Sequence, residues 1–236
     1  GLTVTPPADS DVDFTLSVSA TSTEREGDSA TTVSSLDVTV TGVADVPTVT
    51  INDAAGAEDS VIPLDIGVAL NDIDGSETIT DITISGVPTG AELSTGTDNG
   101  DGTWTLTPAD LDGLTVTPPA NSDDDFTLTV IGTATEADGD SATAIASLDV
   151  TVTSVADAPD IALTDVVGDE DSTIPLDIGV ALTDVDGSES ITNITISGVP
   201  AGAILSAGTD NGDGTWTLLP GNLPGLTMEP PYDSDV

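Results

Sequence analysis

The sequence predicts tandem all-β sandwich repeats, and three observations carry that expectation. The first is self-similarity: GLTVTPPADSDVDFTL at Gly1 returns as GLTVTPPANSDDDFTL at Gly113 and starts again as GLTMEPPYDSDV at Gly225, a period of 112 residues. The spacing holds without insertion from Pro47 to Pro159, Glu58 to Glu170 and Trp104 to Trp216. Such a period is far too long for a solenoid unit and fits one small domain. The second is patterning: short runs of Val, Ile, Thr and Leu alternate with polar residues between clusters of Gly, Asp, Asn and Pro, as strands and turns do. The third is that no segment shows convincing helical periodicity.

The period divides the chain into residues 1–44, the last strands of one repeat; 45–156, a complete repeat; and 157–236, the earlier part of the next. Within the complete repeat the alternation predicts strands at 48–53, 61–70, 78–86, 91–97, 102–107, 126–135 and 141–153. Seven strands in one such unit suggest a Greek-key, immunoglobulin-like sandwich. Pro118 and Pro119 in GLTVTPP point to an edge strand or crossover. Asp98-Asn99-Gly100-Asp101-Gly102 and Asp138-Gly139 read as hairpin turns, offering residues tolerant of positive φ. Trp104 and its counterpart Trp216 read as core plugs in a chain with 2% aromatic residues.

The chain carries 43 acidic residues against one basic residue, Arg25, a formal charge of −42. Phosphate binding needs clustered Lys and Arg, so nucleic acid is excluded as a partner. Anionic membrane surfaces are disfavoured on the same ground. No apolar stretch approaches the roughly 18 residues of a membrane span, so direct insertion is not expected. Hydrophobic residues at 37% exclude a disordered acidic tail. Cysteine is absent, so neither a disulfide nor a thiolate metal site can form. Histidine and lysine are absent too, which leaves paired carboxylates as the only acid–base chemistry and argues against an enzyme.

Counting strand directions places the loops at 71–77, 98–102 and 136–140 at the N-terminal pole of a repeat, and those at 54–60, 87–90 and 120–125 at the opposite pole. Carboxylates concentrate in a few of these: Glu58-Asp59, Asp123-Asp124-Asp125, and Asp72-Ile73-Asp74-Gly75-Ser76-Glu77 with its repeat Asp184-Val185-Asp186-Gly187-Ser188-Glu189. Between repeats lies Val155-Ala156-Asp157-Ala158-Pro159, equivalent to Val43 through Pro47. Threading repeats end to end brings these acidic groups to one junction. Packed carboxylates cannot all remain ionised without a counter-charge. A hard cation with six to eight oxygen ligands answers that need, and Ca2+ accepts irregular geometry better than Mg2+. The DxDG string is not an EF-hand, because its Gly comes too early and no Glu stands at the twelfth position. For the loops at 98–102 and 136–140, ordinary turn chemistry is the favoured reading.

The series VADxP, EDS, DxDGSE, GVPxGAxLSxGT, NGDGTWTL, GLTVTPP, SDxDFTL and SLDVTVT resembles the extender repeats of giant RTX-type bacterial surface adhesins, over essentially the whole chain. The resemblance implies cadherin-like or immunoglobulin-like domains, secreted by type I machinery and stiffened by Ca2+ at domain junctions. It points to Asp45, Glu58, Asp59, Asp72, Asp74 and Glu77 as metal ligands, with counterparts Asp157, Glu170, Asp171, Asp184, Asp186 and Glu189. Asp11 and Asp13 match Asp123 and Asp125 one period later. The glycine-rich nonapeptide repeats of the secretion region in such proteins are absent from this sequence.

The expected function is therefore an extracellular spacer in an adhesin or surface fibre, whose partners are the neighbouring repeats. A glycan- or protein-binding module, with an unknown adhesion target, is the alternative. Residues 1–44 and 157–224 would together make one repeat, so either the sequence is an excerpt of a continuous array, the favoured reading, or chains complement one another head to tail into a filament.

Overall fold

The computed structural model describes residues 1–72, 74–169 and 171–232. Two compact units divide it: Gly1–Ala120 with Asp124–Thr153, and Asn121–Asp123 with Ser154–Val236. The described residues form strands and two short 3-10 turns, an all-β immunoglobulin-like architecture.

The first unit opens with a long hairpin, β1 (Phe14–Thr23) and β2 (Ser29–Val38), paired from Phe14↔Val38 to Thr23↔Ser29. The complete repeat follows: β3 (Thr48–Asn52), β4 (Ala54–Ala57), β5 (Ile62–Pro63), β6 (Asp65–Ala69), β7 (Glu77–Ser85), β8 (Glu92–Leu93), β9 (Thr97–Asp98), β10 (Thr103–Leu106), β11 (Thr115–Thr117), β12 (Phe126–Glu136) and β13 (Ser141–Thr153). One layer is a six-stranded sheet in the order β4-β13-β12-β7-β10-β9. The facing layer is made of the β3-β6 pair and the β5-β11-β8 sheet.

Alternation decides what each strand buries. In β12, Leu128, Val130 and Ala134 point inward and are buried, while the threonines between them face out. Ile62, Leu64 and Ile66 come from the facing layer, Ile82 and Ile84 from β7, and Leu148, Val150 and Val152 from β13, all in one core. Burying each such side chain contributes about 1.5–3 kcal/mol. Gly132 marks where the layers touch: a Cβ there would lie 2.8 Å from Val68 and 3.4 Å from Val49.

One irregularity sets the phase of β7. Its pairing with β12 shifts between Thr133 and Ala134, so that Asp81 opposes Thr133, Ile79 opposes Ala134, and Thr80 is the extra residue. Thr80 turns outward, its hydroxyl 3.0 Å from that of Thr135. Beyond the bulge, Ile79 and Glu77 share the inward face with Ile82 and Ile84.

Four strand-level expectations need correction. The 61–70 strand is divided at Leu64, where its pairing passes from β11 to β3. The 91–97 strand is two short pieces, β8 and β9, in different layers, because the chain reverses at Gly96 with φ +97°. That reversal sends the 98–102 hairpin to the pole opposite the one expected: Val87 N–H donates to Gly102 O at 3.3 Å, beside the 87–90 loop. Finally, GLTVTPP is not an edge: β11 lies between β5 and β8, and its prolines follow the last paired residue. Trp104 is half-buried against the core rather than a full plug, whereas Trp216 is buried.

The second unit repeats the earlier strands: β14 (Asp160–Thr164) pairs with β16 (Asp177–Ala181), β15 (Ile174–Pro175) and β18 (Ile204–Leu205) flank β21 (Thr227–Glu229), and β17 (Ile194–Ser197) and β19 (Thr209–Asp210) flank β20 (Thr215–Leu218). Leu205, Trp216, Leu218 and Leu226 form its smaller core.

Candidate metal centre

The Asp72–Glu77 loop winds on its own carboxylates. Asp72 Oδ1 accepts the Asp74 N–H at 2.8 Å, and Asp74 Oδ1 accepts the N–H and hydroxyl of Ser76 at 2.8 and 2.6 Å. Gly75, at φ +95°, makes the turn. The Ser76 bonds, aided by the backbone of Asp11, hold the Asp74 carboxyl below its ordinary range. Asp72 itself is buried.

At the end of this loop, β7 starts at Glu77, whose register partner is Glu136, the last residue of β12. The β-bulge turns Glu77 to the side on which Glu136 lies, and both are buried, at 4% and 5% exposure. Ligand oxygens of Asp72, Glu77 and Glu136 lie within 4.8 Å of one another. Glu77 Oε1 accepts the N–H of the linker residue Asp45. The other oxygens, Glu77 Oε2 and Glu136 Oε2, are buried without a hydrogen-bond partner. Burial, followed by the charges of Glu77, Asp11 and Asp72, pushes the Glu136 carboxyl above its ordinary value against a hydrogen bond from Ser76.

The linker is seated on this cluster. Ala44 N–H donates to Asp140 Oδ2 at 3.0 Å. Gly42 lies so close to Glu136 that a Cβ there would be 2.9 Å from its Cδ and Oε2. Asp11, Asp45, Asp72 and Glu136 line a common recess of about 410 Å³.

The second unit carries the same loop one period on. Asp184, 1% exposed, accepts the Asp186 N–H and the Ser188 hydroxyl, both at 2.9 Å. Asp186 accepts the Ser188 N–H at 2.7 Å and the Asp123 N–H at 3.4 Å, and these bonds lower its carboxyl. Glu189 Oε1 accepts the linker N–H of Asp157, and its Oε2 is again buried without a partner.

The sequence-derived set thus falls into groups. Asp72 and Glu77 are clustered, with Asp74 fixing the loop and Asp11 and Asp45 beside it; Asp184, Asp186, Glu189, Asp157 and Asp123 repeat the loop and linker hydrogen bonds. Asp13 and Asp125 serve their own sheets instead, accepting the N–H groups of Val40 and Val152 at 2.7 and 2.8 Å. Glu58 is buried at the end of β4, whereas Asp59 and its counterpart Asp171 are exposed with φ +53° and +58°. Glu170 lies outside the described residues. The turn reading of 136–140 holds for Asp138-Gly139 but misses Glu136 and Asp140. A signal was present: Glu24 and Asp28 stand one period earlier.

No described protein family matches the sequence, and no curated protein does. Among solved structures, the Escherichia coli adhesin FdeC aligns at 18% identity with a TM-score of 0.27, over 80% of this chain and 57% of its own. The tandem Ig repeats of Dlar align at 12% identity with a TM-score of 0.22, over 80% and 84%. This chain therefore spans little more than half the length of the first.

Proposed function

We propose that the chain is a run of spacer repeats from an extracellular or cell-surface adhesin or fibre, stiffened by Ca2+ where the linker meets each repeat. The observation that carries this reading is the pair of buried, unpartnered glutamate oxygens on Glu77 and Glu136, in a chain with one basic residue. Buried carboxylates without a counter-charge are costly, and an all-oxygen donor set selects a hard cation. The residues present fit one: Asp72, Glu77 and Glu136 would hold it, with Asp11 and Asp45 beside them. Asp184, Glu189 and Asp157 would do the same one period later. Ca2+, when bound, supplies the missing positive charge.

What the chain itself contributes is the fastening. Glu77 holds the linker through Oε1 and is also a member of the cluster, so linker and loop are secured through one side chain. Glu189 holds the next linker in the same way. Stiffness then resides in the junctions rather than in the sandwich cores, and the neighbouring repeat is the partner that matters.

Differential scanning calorimetry and hydrodynamic radius, with millimolar Ca2+ and with chelator, test the proposal. Ligand binding to the folded state alone contributes about 2.7 kcal/mol at one hundred times Kd. Ca2+ is expected to raise Tm by several degrees and chelation to enlarge the radius. Identical melting and radius in both conditions would exclude the cation.

A further inference from the structure

Residues 39–47 carry the chain into the complete repeat without joining a ladder among the described residues. Backbone N–H and C=O groups outside a ladder still need partners. Side chains supply them here, on three successive linker residues. Asp140 Oδ2 accepts the N–H of Ala44 at 3.0 Å, Glu77 Oε1 accepts that of Asp45, and the Asn71 amide donates to Val46 O at 2.7 Å. The three come from separate places: the turn between β12 and β13, the start of β7, and the loop after β6. The holding groups are themselves held. The Thr48 hydroxyl donates to Asn71 Oδ1 at 2.8 Å, which fixes the direction of the Asn71 amide. The Asp140 N–H donates to Asp138 Oδ1 at 3.1 Å, and the Asp140 carbonyl accepts the Glu136 N–H at 2.8 Å. The linker's own apolar side chains take no such part, for Val43 and Val46 are 72% and 54% exposed.

The second unit carries the same contact in different chemistry. One period on, Asn71 is replaced by Thr183 and Val46 by Ala158. The Thr183 hydroxyl donates to Ala158 O at 3.2 Å, the carbonyl equivalent to that of Val46. Amide has become hydroxyl and valine has become alanine, yet the bond to the linker carbonyl stays. We propose that Asn71 and Asp140 are positioning residues that, with Glu77, recognise the main chain of the incoming linker and fix its path without a cation. The interaction surface is the recess formed by these three side chains, and its partner is the linker segment Ala44–Val46, held by backbone rather than by side-chain identity. Asp140 serves as a hydrogen-bond acceptor, and any short donor serves at position 71. The inference goes beyond the cation-stiffened junction and does not rest on it.

Amide hydrogen exchange on the full chain, in chelator, tests this. Asp140→Ala is expected to speed exchange of the Ala44 N–H by roughly tenfold or more, the worth of a hydrogen bond to a charged group. Asp140→Asn keeps an acceptor oxygen but removes the charge, and should recover most of the protection; a residue acting through its charge would not be rescued. Asn71→Ala should speed exchange at both Ala44 and Asp45, and Asn71→Thr, the residue of the second unit, should restore it. Val43→Ser combined with Val46→Ser should leave both amides as they were. The amide of Val130, in the buried core, reports on the fold as a whole and should not change in any variant. Unchanged Ala44 exchange in Asp140→Ala, no rescue by Asp140→Asn, or an acceleration shared equally by Val130 would overturn the proposal. Ca2+ titration of the unsubstituted chain keeps the two readings apart. A chain that binds no Ca2+ yet shows this pattern loses the cation alone, and one that binds Ca2+ without it loses the linker contact alone.

Discussion

The hairpin β1–β2 and the hairpin β12–β13 are closely related sequences a period apart, with the same register from Phe14↔Val38 and Phe126↔Val150 onward. Their surroundings differ completely. Leu16, Val18 and Leu36 are 37%, 57% and 57% exposed, whereas their counterparts Leu128, Val130 and Leu148 are fully buried. The comparison separates what is local from what is not. Strand alternation and a glycine turn suffice to specify the hairpin, but its apolar face gains nothing until another layer covers it.

Truncation should expose that difference most strongly. Leu128→Ala is expected to destabilise the complete repeat by about 2–5 kcal/mol, and Leu16→Ala by less than about 0.5 kcal/mol, in urea or thermal unfolding. Comparable losses at the two positions would mean that the first hairpin is covered in solution.

The carboxylates at the hairpin ends allow a second contrast. Glu136→Gln should weaken Ca2+ binding by roughly tenfold or more in titration calorimetry, as expected for losing a charged ligand. In chelator the same substitution should raise Tm, because it removes a buried charge whose neighbours are also acidic. Glu24→Gln, at the exposed equivalent position, should do neither. If the two variants behave alike, the burial of Glu136 has no bearing on the cation.

The smallest expected effect is a reversal of sign with pH. Burial raises the Glu136 carboxyl, so without Ca2+ the folded chain binds that proton more tightly than the unfolded chain does. Its contribution is complete below the ordinary glutamate value of 4.5 and is lost as pH rises through the higher folded value. Asp74, Asp101 and Asp110 are depressed, so their contribution is present above the ordinary aspartate value of 3.8 and is lost as pH falls through their folded values. Chelated protein should therefore melt slightly higher near pH 5 than at pH 7 and lower again below about pH 3.8. With Ca2+ present, acidification should only lower Tm, because protonation competes with the metal. A metal-free Tm falling steadily from neutrality would place Glu136 in water.

Much of the fold was legible because the strands that matter are long and alternating: β7, β12 and β13 stand almost where the pattern put them. The errors lie where a non-local partner decides. Nothing in residues 91–97 reveals that Leu93 pairs with β11 while Thr97 pairs with β10; only the facing layers divide them. In the site, Asp72 and Glu77 were legible from acidic clustering. Glu136 was marked only by the recurrence of Glu24 one period earlier, and beside Asp138-Gly139 it reads as turn chemistry until the sheet places it opposite Glu77.

That opposition depends on Thr80. With one residue too many on its side of the ladder, β7 changes parity: before the bulge odd-numbered residues face inward, and after it even-numbered ones do. The side that begins with a glutamate can thus end in isoleucines without interruption. An insertion or deletion of two residues nearby would leave this arithmetic intact, whereas a single one would exchange Glu77 for Thr78 and turn the acidic anchor out into the solvent. The metronomic spacing between the repeats is, in that sense, a constraint on counting as much as on shape.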